Sequence, residues 1–223
     1  MIPDLAPLGL TFKLAALSAT ILFVCSLPLV FWLFFHRSFA ASMVRALVNL
    51  PLVLPPVVVG FYLLLLFSPS GTLGLVLERL FHLRLVFTLQ GLVAGSVLFN
   101  TPFMVNPILS ALESLPPSLC EASLVLGKST WTTFTKVLLP AIRPGLLTGL
   151  ILSFSHTIGE FGMVLMIGGK IPGVTRVASI AVYDEVESLH FAAAHWYSAV
   201  MVLLSFGLLL GLLLVNKRFA RTW

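Results

Sequence analysis

The chain has 223 residues, 59% of them apolar and 9% charged, with a mean hydropathy of +1.08. A soluble domain carries about 25% charged residues, so the composition excludes a water-soluble enzyme or binding module and describes an integral membrane protein with little mass outside the bilayer. The net charge of +5 comes from scattered Lys and Arg with no basic stripe among exposed aromatics. That argues against nucleic acid as a partner, and in a membrane protein such residues report topology instead.

The N-terminal MIPDLAPLGLTFK lacks the basic region and small-residue cleavage site of a signal peptide, and the apolar run after it is too long for one. It reads as a retained first span. A membrane helix needs about 20 mostly apolar residues, and five segments qualify, near 10–35, 46–67, 88–109, 146–167 and 196–215. The expected fold class is all-α, one transmembrane domain over 1–223 with about five spans. Only Asn216 to Trp223 follow the last span, so no appended regulatory domain is expected.

Lys and Arg placement sets the orientation. With the N-terminus outside, Arg37, Arg45, Lys128, Lys136, Arg143, Lys217, Arg218 and Arg221 lie inside, against Lys13, Arg79, Arg84, Lys170 and Arg176 outside. The C-terminus and the 113–143 loop are then expected in the cytoplasm, and membrane lipid surrounds the spans.

The second span carries Pro51, Pro55 and Pro56. Each proline removes a backbone donor and clashes one turn back, and irregular backbone at membrane depth is tolerated only against protein or a water-filled cavity. A kinked helix and a broken helix lining a conduit both remain open. In the third span Asn100-Thr-Pro102 and Asn106-Pro107 mark weak points. After the fourth span, Gly168-Gly169 and Pro172-Gly173 signal turns, and Val177, Ile180, Ala181 and Val182 suggest a short amphipathic helix at the outer interface. Tyr183 to Glu187 is either its solvated end or a contact for an extracytoplasmic partner.

The loop between the third and fourth spans is too structured for a simple turn. Ser118-Leu-Cys-Glu121 matches a capping box, and Gly127 suits the left-handed residue that ends a helix. A helix over 119–126 has barely two turns, which is marginal alone, so it needs a partner. Leu119, Ala122, Ser123 and Leu126 share a face, and Ala122 and Ser123 are small enough to let another surface approach. A second helix over 130–138 has Ser129 as its cap, Pro140 to close it and Pro144 to open the next span. Ala122 to Ser129 nearly spells a phosphate loop, but Ala stands where its first Gly is needed and no strand precedes it. No nucleotide, metal or other cofactor is expected on this chain.

Glu121-Ala122-Ser123, Gly127 and Leu139-Pro140 resemble the EAA loop of binding-protein-dependent ABC importer permeases, with Ser replacing the second Ala. Leu50 to Gly60 (LPLVLPPVVVG), Ile158 to Gly162 (IGEFG), Gly168 to Gly173 and Thr175 resemble segments of the molybdate permeases of that family. The resemblance implies the type I ABC importer permease fold, with a cytoplasmic coupling helix that fits a groove on an ATPase and makes Glu121, Ala122, Ser123, Leu126, Gly127, Leu139 and Pro140 coupling residues. It implies a homodimer with the pathway on its two-fold axis, two ATP-binding subunits inside that hold ATP and Mg, and one extracytoplasmic molybdate-binding protein. The chain is then a transport subunit in the cytoplasmic (inner) membrane and not itself an enzyme. Permeases for sulfate or tungstate share much of the pattern and remain the alternative.

Molybdate is a tetrahedral dianion, so its conduit should offer hydroxyls, amides and helix N-termini and keep bare carboxylates away. Pro55, Pro56, Asn100, Ser153, Thr157 and Glu160 are the candidate pathway or gate residues; for the polar ones, bonding between helices is equally open. Glu160 is the one acid well inside an apolar run. With His156 four residues earlier, a continuous helix would put both on one face, which predicts a structural His156–Glu160 pair; a gate is the second reading. A remote alternative, an intramembrane enzyme using His156 and Glu160, lacks a paired nucleophile or metal motif.

Overall fold

A computed structural model describes residues 4–220, with side chains described through Leu214. Among them every regular element is helical: α1 (Ala6–Phe35), α2 (Phe39–Val53), α3 (Pro56–Phe67), α4 (Thr72–Phe81), α5 (Leu89–Phe99), α6 (Thr101–Glu113), α7 (Pro117–Val125), α8 (Thr130–Thr133), a π-turn (Phe134–Leu138), α9 (Leu139–Ala141), α10 (Arg143–Gly159), α11 (Gly162–Gly168), α12 (Ala178–Glu187) and α13 (Phe191–Ala220). Of the basic residues that set the expected orientation, Lys217 and Arg218 have no described side chains, and Arg221 lies outside the described residues.

Three predicted spans are long apolar helices: α1, α5 with α6, and α13. The other two are not the continuous helices that hydropathy suggests. The second span is split at Leu54-Pro55, where α2 and α3 meet at 115°. Pro51 is carried inside α2; Pro55 and Pro56 end it, because two successive residues without N–H groups cannot continue the ladder. The fourth span begins at Arg143 with Pro144 in its first turn, bends 77° from the helix before it, and stops at Gly159. Glu160 is extended, with φ −70° and ψ 127°, and α11 restarts at Gly162. The third span pauses for one residue at Asn100, whereas Pro107 sits inside α6 without a break.

α10 is the centre of the bundle and packs on α6, α1 and α13. Gly145 and Gly149, one turn apart, make its contact with α6 close. A Cβ on Gly145 would stand 2.4 Å from the Ala111 Cβ, and one on Gly149 would stand 2.9 Å from the Met104 carbonyl. Two apolar cores result. One gathers Leu33, Val48, Met104, Ile108 and Leu112 with Phe134, Leu138 and Ile142 of the loop region. The other gathers Leu14, Leu63, Phe67, Leu92, Met163 and Ile167 with Val177 and Ile180 at the start of α12. The amphipathic helix expected after the fourth span is α12, and its Val177, Ile180 and Ala181 are buried. The Ala178 N–H donates to Thr11 Oγ1 at 2.8 Å and so fastens α12 to α1.

Candidate functional site: a helix-break junction and a coupling loop

Two regions carry the predicted residues. The first is the junction where the breaks of three spans meet. The start of α3, the end of α5, and the gap between α10 and α11 line an open cavity of about 540 Å³, walled by Pro56, Val57, Phe99, Ser155, His156, Glu160, Phe161 and neighbouring glycines. Pro56 and Glu160 lie on that wall. Asn100, Ser153 and Thr157 are buried behind it, and Pro55 caps α3. Ser155 also lies on the wall, and Val57 and Phe99 join it without having been singled out as pathway residues.

The expected direct pair of His156 and Glu160 is not formed, because the helix that would have aligned them ends at Gly159. Asn100 stands between them instead. Its Nδ2 donates to the Ser96 carbonyl at 2.9 Å, with Thr157 Oγ1 at 3.2 Å and Glu160 Oε2 at 3.4 Å sharing the second hydrogen. Its Oδ1 is therefore an acceptor, and His156 Nδ1 donates to it at 2.7 Å. That bond fixes the imidazole proton on Nδ1. Ser96 Oγ donates to Glu160 Oε2 at 3.1 Å, and Ser179 Oγ of α12 donates to the Glu160 carbonyl at 2.6 Å. Phe103 stacks on the His156 ring at 3.9 Å. Ser96 went unnoticed in the sequence; the available signal was its spacing of four from Asn100, which puts both on one face of a helix that a buried acid must meet.

The second region is the loop between α6 and α10. Gly127 has φ +73°, and its N–H and that of Lys128 return to Leu124 O at 2.9 Å and Ser123 O at 3.2 Å. This is the paired C-terminal closure that requires a left-handed residue. Ser129 caps the next helix through the Thr132 N–H at 3.2 Å. The capping box at Ser118 and Glu121 is absent: α7 starts two residues earlier than expected, at Pro117 with Pro116 as its N-cap, which leaves Ser118 inside the first turn. Nor does Pro140 close the second helix. The helix runs on to Ala141 because the wider π-turn at Phe134–Leu138 precedes the proline.

The partner of the small face is partly the loop itself. Ser123 is buried, and its hydroxyl donates to Thr133 Oγ1 at 2.9 Å, since the Thr133 proton goes to the Ser129 carbonyl. Phe134 and Trp131 pack on Phe31 of α1, with ring centroids 5.2 and 5.1 Å away. Outward stand Glu121, Ala122, Leu124, Val125 and Leu126, with Val125 86% and Leu126 76% exposed. Leu139 is partly buried and Pro140 is exposed.

A bundle of broken apolar spans around a cavity, with an ordered loop presenting apolar side chains at one end, describes the class: a multi-pass membrane protein built on interrupted helices. Residues 24–222 match the family described as binding-protein-dependent transport system inner membrane component, and the chain belongs to that family. It is 44% identical over 216 residues to the molybdenum transport system permease protein ModB of Azotobacter vinelandii, covering 97% of this chain and 95% of the relative. It is 33% identical over 186 residues to the sulfate transport system permease protein CysT of Escherichia coli, covering 83% and 67%. A bacterial alginate ABC transporter crystallised with an alginate-bound periplasmic protein contains a chain of the same fold, with a TM-score of 0.76 at 20% identity, covering 96% of this chain and 78% of that one.

Proposed function

We propose that this chain is the membrane-spanning permease subunit of an importer for molybdate, driven by ATP hydrolysis in a partner subunit. The observation that carries the reading is the likeness, over nearly the whole length of both chains, to a relative named for molybdenum transport. Sulfate transport is the second reading, favoured by the lower but extended likeness to a sulfate permease.

In this reading one transmembrane domain acts as a homodimer with its pathway on the two-fold axis. Two ATPase subunits sit on the side of the 113–143 loop and a molybdate-binding protein on the other. The Lys and Arg distribution supports a cytoplasmic loop and C-terminus and an outside N-terminus in the inner membrane. The outward side chains of α7 suit a groove on the ATPase, and Gly127 sets the angle at which α7 is presented. The junction cavity supplies the passage: Pro55 and Pro56 hold it open by breaking one span, and Asn100, Ser153, Thr157 and Glu160 brace the break in another. ATP-dependent uptake by the reconstituted complex tests the assignment. Labelled molybdate should accumulate in proteoliposomes and be displaced by unlabelled molybdate and tungstate; accumulation of sulfate without molybdate would overturn it.

A further inference from the structure

α4 belongs to neither the junction nor the loop. It joins the second and third spans at the end of the bundle away from the 113–143 loop. Ten residues are too few to cross a bilayer. Leu73, Val76, Leu77, Leu80 and Phe81 nonetheless recur at the spacing of one helix face. The chain leaves most of that face uncovered: Leu73 and Val76 are exposed, Leu80 is 69% and Phe81 63% exposed. Contiguous apolar side chains in the open mark a surface that meets something else.

Backbone contacts fix the bearing of this helix. The Gly71 N–H donates to the Ser68 carbonyl at 2.8 Å, and a Cβ on Gly71 or Gly74 would strike the Leu65 or Ser68 carbonyl. α4 is thus seated directly on the end of α3. At its far end His82 takes a left-handed turn with φ 51°, and Arg84 returns to Glu78 at 2.7 Å. Arg79, one turn beyond Val76 on the border of the apolar face, is exposed and has no ion pair among the described residues.

We propose that α4 lies in the plane of the membrane as an interfacial anchor, with Leu73, Val76, Leu80 and Phe81 among acyl chains just below the phospholipid headgroups and Arg79 against a lipid phosphate. Three observations choose lipid as the occupant. The flanking helices end at Phe67 and begin at Leu89, so α4 sits where the bilayer gives way to water. Its apolar side continues a surface that already meets lipid: Leu65 and Leu66 are exposed on α3, and an open groove of about 440 Å³ runs from Leu65 past Gly74 and Glu78 to Leu83 and Phe87. The free cation on the border of the face matches the anionic phosphate layer, which a long side chain reaches from an apolar bed. Because Gly71 and Gly74 seat α4 on α3, the anchor holds α3 at a set depth, and with it the break at Leu54-Pro55.

The test places the full chain in nanodiscs of phosphatidylethanolamine and phosphatidylglycerol, with Cys25→Ser and Cys120→Ser removing the native thiols and a spin label on one introduced cysteine. Labels at Leu73→Cys and Leu80→Cys should be relaxed strongly by oxygen and weakly by a water-soluble nickel chelate, at a depth of about 5–10 Å. A label at Thr72→Cys, off the apolar face, should be open to the chelate. Chelate access at 73 and 80 equal to that at 72 would overturn the inference. So would low access to both reagents, which marks cover by protein, whether a second copy or, if it develops only on adding the binding protein, that partner. In native mass spectra Arg79→Gln should retain about one phosphatidylglycerol fewer than the wild type; equal retention would overturn the phosphate contact. None of these readings depends on which anion the complex carries.

Discussion

Around Glu160 the polar groups of α5, α10 and α12 bond to one another inside the protein, whereas on α7 the apolar side chains of Leu124, Val125 and Leu126 stand in the open. Both regions reverse the usual placement of their residue types, and for different reasons. A carboxyl, an amide and hydroxyls within a bundle are held by the bonds they make to one another, and here Asn100 and Ser96 fix one oxygen of Glu160 while its Oε1 is left without a partner among the described residues. Exposed leucines on a two-turn helix gain nothing from their own chain, and their burial awaits another surface. The junction therefore answers to stability, and the loop to assembly.

The largest expected effect that would break this contrast is at Asn100. Asn100→Leu strips Glu160 and His156 of a shared partner and should cost about 3 kcal/mol, read as a large fall in the thermal unfolding midpoint in detergent; an unchanged midpoint would show that the Asn100 bonds do not hold the junction together. Gly145→Leu comes next. Its side chain must fit where a Cβ alone comes within 2.4 Å of Ala111, so α10 and α6 should be forced apart at about 2 kcal/mol, seen in the same midpoint. Leu126→Asp should change stability by less than about 0.5 kcal/mol and abolish co-purification of the ATPase subunit. Glu121→Lys should behave alike, and co-purification at the wild-type level in both variants would end the docking reading.

The smallest effect lies in the ion-pair cluster beyond α11. Lys170 bonds Glu187 at 2.7 Å and Asp184 at 3.0 Å, and Arg176 bonds Asp184 and Glu185. The Lys170 ammonium and then the Tyr183 hydroxyl hold the Glu187 carboxyl below its ordinary range. A carboxyl lowered in the folded state contributes stability that is fully present above its unfolded value of about 4.3. That contribution is lost as the pH falls through the lowered value. Acidification should thus lower the wild-type midpoint slightly more than that of Lys170→Ala; equal slopes would show that the cluster is merely solvated.

The apolar runs were enough to place α1 and α13, and Gly127 and Ser129 to divide the loop, because each is a local signal with a single physical solution. The prolines at 55 and 56 marked a break but not its 115° angle, which depends on where α3 docks against α11. The break at Glu160 was hidden, since no proline interrupts 146–167. Only Gly159 and Gly162 flank it, and glycines of that kind are common in membrane helices for packing. The predicted His156–Glu160 pair inherited that error: spacing of four means a shared face only while the helix continues. The capping box at Ser118 failed for a neighbouring reason, because Pro116-Pro117 had already started the helix.

The π-turn at Phe134–Leu138 gives the loop a setting that no side chain controls. Its widened turn holds one residue more than an α-helix would over the same rise. Each helical residue advances the chain by about 100°, so this surplus determines the compass bearing of everything on its N-terminal side relative to α10. Deleting a single residue there would yield a more regular helix and turn α7 by about a quarter of a circle, leaving its leucines facing the wrong way.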